Sequence, residues 1–342
     1  MKKASFLSLH RWVALAFAPL ILLQAVTGGM LLFREPLARL LDPAAMTSQV
    51  HGPAAQIAEL AVAAERGTGK RIARLFLPRS EGGVALARMQ GEGVPHVATL
   101  DPVTAEVLAY GAIWRFPTEA ALDLHYQLLS PPVGALIVVL TGLGLSLIAA
   151  SGAAFWWPGR GRVVQALKVR KGLKGTMRLR AWHRTAGALA VAVIGFSSVT
   201  GLVTAVTILP PLSAPMAGIR PPLSIEAARS AVAAAYGEFP QAALRDVRFQ
   251  PDGSFQVNFR APERNAYAVH TVAVDASGSE VLRATPASEN REPWVVLLPL
   301  HAGTFLGVLG TLLLGLEAAA LMFLTVTGPL SWWRKTRRKG RA

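Results

Sequence analysis

Four long apolar runs, Trp12–Phe33, Val133–Trp157, Thr185–Leu209 and Val295–Trp333, stand out from an otherwise mixed pattern. Each is long enough to cross about 30 Å of hydrocarbon, so the pattern predicts four membrane helices. The first run is too long for a signal-peptide core and lacks a small-x-small cleavage site, and it reads as a retained anchor. Between the runs the period changes. Ala54–Arg66 and Ser224–Tyr236 are alanine-rich and amphipathic with helical spacing, and Ser224 followed by Glu226 supplies an N-cap and an early acid. Short alternating strands follow at Ile72–Leu77, Val84–Met89 and Val97–Leu100, then at Val247–Phe249, Phe255–Phe259 and Tyr267–Val274. Pro251-Asp252-Gly253 marks a hairpin turn. A helix on a small antiparallel sheet is therefore expected twice.

The same punctuation occurs twice along the chain. His10-Arg11 and His183-Arg184 open the first and third runs, and each His is followed at the same interval by Thr-Gly, at Thr27-Gly28 and Thr200-Gly201. Leu124-His125 and Leu300-His301 precede the other two. From these histidines one common interval leads to Ser151-Gly152 and Thr327-Gly328, and a slightly longer one leads to Trp156-Trp157 and Trp332-Trp333. The intervening segments echo each other as well, DPVTAEVL at 101–108 against DASGSEVL at 275–282. The offset drifts from 173 through 174 to 176 along the chain, which is the signature of an internal duplication.

Composition sharpens the topology. The 342 residues are 52% hydrophobic and 16% charged, unlike an ordinary soluble domain. Mean hydropathy is +0.39. The net charge of +15 is concentrated at 158–184, in the tail from Arg334 and at the N-terminus, and the remainder is nearly neutral. Basic segments beside membrane spans mark the cytoplasmic face, so both termini and the middle loop lie inside and segments 34–117 and 210–293 outside. This distribution sets topology and favours anionic lipid; it argues against nucleic acid. Cysteine is absent, which excludes disulfides, thiolate-bound iron–sulfur clusters, Cys-based zinc sites and covalent c-type haem.

The LHRW…VTGG opening, the LH…WWPGR closure and the helix-plus-strands segment between them resemble the PepSY-associated transmembrane family, whose members include iron-regulated inner-membrane proteins and ferric-siderophore reductases. The likeness spans nearly the whole chain. It implies a helical membrane protein of the bacterial inner membrane: a four-helix bundle from two parallel-orientation repeats, each with a small periplasmic α+β PepSY-like module. Repeat 1 is 1–157 (spans 10–33 and 118–157, module 45–115). A basic cytoplasmic loop follows at 158–181, then repeat 2 at 182–333 (spans 183–209 and 294–333, module 222–290) and a basic tail at 334–342. The resemblance also implies b-type haem held by histidines on the helices and reductive release of iron from siderophores in the periplasm.

His10, His125, His183 and His301 recur at matching places in the two halves, whereas His51, His96 and His270 do not. An ionisable residue in or near a span is a functional-site candidate. Repeats in one orientation are related by an axis along the membrane normal. That symmetry pairs His10 with His183 near the cytoplasmic face and His125 with His301 near the external face, so each pair could hold one iron from two sides, and with the b-type haem that the resemblance implies two haems are expected. A bis-histidine haem carries electrons because no position is open for oxygen chemistry. Drawn as one straight helix, His125 to Trp157 would span roughly 48 Å, and even with a break at Ser130-Pro131-Pro132 the two levels stand about a membrane thickness apart. Met30, Met322, Phe17, Phe196 and Phe323 are candidate relays or plain packing. Glu317, the one acid in the fourth run, and Gln24 should face the bundle interior, Glu317 as a hydrogen bond between helices or a proton-coupling group. The four Ser/Thr-Gly pairs read as small-residue helix contacts, and the Trp pairs as interface anchors.

Three functions compete. The first is an oxidoreductase that passes electrons from a cytoplasmic or quinol donor to a periplasmic ferric siderophore. Fe(II) leaves hard-oxygen chelators readily, and the glycines at 159–161 are no dinucleotide fingerprint, so the donor is external to the chain. The second is a non-enzymatic PepSY-type binding or regulatory protein of the envelope, with incidental histidines. The third is a metal or haem transporter, for which the spans carry few buried charges. Arg79, Arg264 and Arg291 either attract an anionic substrate or are solvated surface.

Overall fold

The computed structural model describes residues 3–52, 55–91, 93–209 and 221–339. Residues 210–220, between the third span and the second module, and the tail end 340–342 lie outside the described residues. In chain order the main helices are α1 (Lys3–Leu32), α2 (Ile57–Thr68), α3 (Pro117–Gln127), α4 (Val133–Trp156), α5 (Gly175–Thr207), α6 (Ile225–Glu238), α7 (Pro293–His301) and α8 (Gly307–Lys339). Strands β1 (Ile72–Phe76), β2 (Ala85–Met89), β3 (His96–Leu100) and β4 (Val107–Ala112) follow α2. Strands β5 (Leu244–Phe249), β6 (Phe255–Arg260), β7 (Val269–Val274) and β8 (Val281–Thr285) follow α6. Two compact units result, one of residues 1–32, 121–212 and 296–342, the other of 33–120 and 213–295.

The first unit is the helical bundle. Four helices are long and apolar enough to cross a membrane: Ala4–Leu32, Val133–Trp156, Gly175–Thr207 and Val308–Arg337. α1 and α5 each pack against both α4 and α8. Small and hydroxyl residues are buried between them, among them Ala25, Thr27, Thr141, Ser151, Ser198, Thr200, Ala318 and Thr327. Large side chains such as Leu189, Leu312 and Leu316 point outward. Lipid is as apolar as leucine, so close backbone approach rather than hydrophobic burial selects what lies inside. The hydroxyls bond back to the preceding helical turn, as Thr141 does to Ile137 O at 2.7 Å and Ser151 to Leu147 O, so none is stranded.

The second and fourth spans, bounded as 118–157 and 294–333, each divide into a short helix and a long one, the first of them at the break that Ser130-Pro131-Pro132 offers. After α3 the backbone takes positive φ at Leu128 (50°) and Leu129 (55°), then α4 begins beyond Pro131-Pro132. A Cβ on Gly134 would collide with the Gln127 carbonyl oxygen. The second break runs through Gly303 (φ 68°) and Gly307 (φ 55°), and a Cβ on Gly310 would collide with the Gly303 carbonyl. Only glycine fits at these two close approaches. Gly134 and Gly310 are related by the same offset as the motifs that flank them.

In the second unit the expectation of two separate small sheets gives way to one. All eight strands form a continuous antiparallel sheet in the order β4-β3-β2-β1-β5-β6-β7-β8. The join is β1 against β5, with Leu75 opposite Val247 and Phe76 opposite Asp246. α2 and α6 pack on each other and on one face, burying Leu60, Ala61, Leu75, Val247, Val257 and Phe259 in a common core. Fusing the sheets removes two edge strands that would otherwise offer unpaired backbone. The echoed Asp101 and Asp275 each tie a tight turn, Asp101 accepting from Val103 N (2.8 Å) and Asp275 from Ser279 N (3.0 Å). Hydrogen bonds from the Ser277 hydroxyl and from the Glu280, Ser277 and Ser279 amides draw the Asp275 carboxyl down to about 2.

The opposite face of the seam is polar. The Asp246 side chain is fully buried and accepts from Arg74 Nε (2.8 Å) and Asn258 Nδ2 (2.9 Å). Removing one partner of a buried ion pair leaves the other uncompensated. Asp246→Ala should therefore destabilise the protein by about 3–5 kcal/mol. Chemical unfolding followed through the sheet signal checks this, and a loss below about 1 kcal/mol would remove Asp246 as the seam's anchor.

Candidate functional site: two histidine pairs in the bundle

Each of the four recurring histidines lies on the glycine of one Ser/Thr-Gly pair. A Cβ on Gly152 of α4 would meet His10 Cε1 at 3.0 Å, and one on Gly28 of α1 would meet His125 Cε1 at 3.0 Å. In the other half a Cβ on Gly328 of α8 would stand 3.2 Å from His183 Cε1, and one on Gly201 of α5 only 2.7 Å from His301 Cε1. The glycines accordingly act as seats for imidazole rings rather than only as helix–helix contacts. Each half uses the same cross-brace: the histidine of its first helix lies on its last helix, and the histidine that closes its short helix lies on its first.

The hydrogen bonds set the tautomer. His10 Nδ1 lies 2.9 Å from Ile148 O and His301 Nδ1 3.2 Å from Ser197 O. A carbonyl can only accept, so both Nδ1 atoms carry the proton. His125 Nδ1 meets Thr27 Oγ1 at 3.0 Å and His183 Nδ1 meets Thr327 Oγ1 at 2.9 Å. Those hydroxyls donate to Leu23 O and Phe323 O, both at 2.8 Å, and so accept from the imidazoles. All four rings thus spend Nδ1–H on the protein and keep the Nε2 lone pair, the arrangement typical of metal-bound histidine.

The structure also brings the histidines together in twos. The His125 and His301 rings lie 6.1 Å apart, centroid to centroid, with planes inclined at 31°. Two imidazoles on opposite sides of one metal ion, with bonds of about 2 Å each, would have centroids about 6 Å apart. His10 and His183 are electrostatic neighbours. Among the described residues no three His, Cys, Asp or Glu gather as a metal set. Two nitrogens per pair suit a metal whose other positions are filled by a macrocycle.

The breaks in the chain set the separation of the levels. His125 folds back onto Gly28 rather than capping a straight helix. Along α1 from His10 to Gly28, and along α5 from His183 to Gly201, the axial distance is about 27 Å of helix. Phe17 covers Gly144 inside the bundle, whereas Phe196 and Phe323 are exposed on its surface, where Phe196 meets Phe305. Glu317 is buried at 5% exposure and bonds the Ser197 hydroxyl, so it links α8 to α5. Its Oε2 has no hydrogen-bond partner among the described residues. Because Ser197 O also receives the His301 proton, Glu317 stands one residue from the His125/His301 pair. Gln24 Nε2 reaches Leu124 O at 3.5 Å, next to His125.

The remaining histidines have local roles in the other unit. His270 accepts from Ala287 N (3.0 Å) and stacks on Phe239 at 4.4 Å. His96 lies by Lys70, and His51, largely exposed, by Glu81. Sequence reasoning misses the seats themselves, although their signal is present: every Ser/Thr-Gly recurs at a constant distance from a histidine. Of the three arginines weighed, Arg264 donates to Ala287 O, and only Arg79 joins a larger cationic cluster.

A family model described as the PepSY-associated TM region matches residues 7–335. No curated protein matches the chain.

The tightest seat can be tested against a control in the same helix. Gly201→Ala should destabilise the detergent-solubilised protein by about 1–3 kcal/mol, because its methyl overpacks His301. Gly195→Ala, which meets nothing within 4 Å, should be neutral. Equal thermal melting of the two variants would contradict the seat.

Proposed function

The chain belongs to the PepSY-associated transmembrane family, and we propose that it is an inner-membrane b-haem oxidoreductase delivering electrons to a ferric siderophore outside the cell. The observation that carries this reading is the set of four imidazoles, each with Nδ1 tied and Nε2 left to a metal, one pair of them with ring centroids 6.1 Å apart. His10 and His183 would hold one haem, His125 and His301 the other. When bound in this way, haem supplies reversible one-electron chemistry with no open coordination position.

The protein's own groups do the rest. Thr27, Thr327 and the carbonyls of Ile148 and Ser197 orient the rings and fix the proton on Nδ1, and the four glycines give each ring its place. In this reading the two halves are repeats in one orientation, each contributing one ligand per level. The basic loop and tail hold the His10/His183 end at the cytoplasm, where a separate protein or the quinol pool donates electrons. The fused sheet unit is periplasmic. Reduction of Fe(III) to Fe(II) weakens its hold on hard-oxygen chelators and releases the metal. A purely regulatory envelope protein would have no use for four oriented lone pairs.

The pairing makes a specific prediction. Replacing His10 or His183 by Ala should abolish the same haem signal, and replacing His125 or His301 the other, each losing about half the Soret absorbance. The dithionite-reduced wild-type protein should be reoxidised by ferric siderophore. Four unrelated spectral effects, or none, would contradict the assignment.

A further inference from the structure

The two modules meet at the β1/β5 seam, and arginines from both crowd there. Arg74 and Arg79 come from the first module, Arg245 and Arg260 from the second. Among the described residues the acids that face them are Asp246 and Glu35. Asp246 is already engaged by Arg74 at 2.8 Å and lies 3.5 Å from Arg245. Glu35 reaches Arg79 only at 3.8 Å, with both side chains half exposed. Arg260 donates to the carbonyls of Leu77 and Pro78, at 3.1 and 3.3 Å, which bind its protons without cancelling its charge. The same contacts hold Arg260 against the loop that carries Arg79. Among the described residues four guanidiniums thus face two carboxylates, an excess of two positive charges in a partly buried setting. Burial first, then the like charges of Arg74, Arg79 and Arg260 against the pull of Asp246, bring Arg245 down to about 10. Tyr267, mostly buried beside Arg79, Arg245 and Arg34, adds a hydroxyl to the same place.

Gathering like charges is costly unless something anionic joins them. Guanidinium forks match planar oxygen pairs, and their charge-assisted bonds to anionic oxygens are the strong ones. We infer that the seam is a docking site for an anionic ferric chelate of the catecholate or hydroxycarboxylate class, held by Arg79, Arg245 and Arg260 with Tyr267, in preference to uncharged hydroxamate complexes. This rests on the proposed reduction and names the substrate class for it. Because the contributing residues come from both modules, neither module alone completes the site.

Gallium(III) chelates test the docking apart from the redox chemistry, since gallium replaces ferric iron but is not reduced. Equilibrium binding to the full-length protein in detergent should be at least about tenfold tighter for gallium tris-catecholate than for an uncharged gallium trihydroxamate, and should weaken as salt rises. Arg79→Gln, a change at a half-exposed side chain, and Arg245→Gln should each weaken catecholate binding about tenfold. Arg283→Gln, exposed on β8, should leave it unchanged. Equal affinity for the charged and uncharged chelates, no effect of Arg79→Gln, or no binding at all would overturn the site. These outcomes do not depend on haem, so they separate failure of the docking site from failure of the electron-transfer reading.

Discussion

A neutral imidazole placed among apolar helices must find an acceptor for one N–H, and which nitrogen is satisfied decides what the other can do. In this chain that requirement is met four times by the same device. A histidine from one helix lies on a glycine of another, where the missing side chain admits the ring and a hydroxyl or carbonyl takes Nδ1–H. An unsatisfied polar group in a membrane costs several kcal/mol, so the acceptor and the glycine are needed together. The bundle's small-residue interior, the register of its helices and the broken entries to α4 and α8 are all arranged around these four contacts.

The breaks show how local backbone chemistry serves the distant contact. Leu128 and Leu129 at positive φ, and Gly303 and Gly307 in the other half, turn the chain sharply enough for a short helix to place its last-turn histidine beside α1 or α5. Gly134 and Gly310 let the next helix start against that turn. Without the turns, His125 and His301 would sit at the far ends of overlong helices instead of within 6.1 Å of each other. Glu317 and Ser197 then place a buried carboxylate next to one pair only, a break in the symmetry of the two halves.

Much of this is legible in the sequence because it is written in length and periodicity. The four spans follow from uninterrupted apolar stretches, and three strands of each module from alternation. The last strands, β4 and β8, escape that reading although they lie in the echoed EVL segments, because Val107 and Val281 follow turn residues and alternate poorly. The single sheet is not legible either. It depends on Leu75 meeting Val247 from the other half of the chain, a pairing no local pattern encodes. The Ser/Thr-Gly pairs are visible but ambiguous, since a glycine that admits a helix and one that admits an imidazole look alike until the partner is placed. The second break, at Gly303–Gly307, has no proline to announce it, unlike Pro131-Pro132.

The central proposal is that the paired rings would hold haem iron and are not mere braces between helices. Electron paramagnetic resonance of the oxidised, full-length protein purified from haem-replete cells, with haem counted per chain, addresses it most directly. The account predicts two b haems per chain, both low-spin with bis-imidazole signatures. A colourless protein, or haem in a high-spin state with an open coordination position, would contradict it.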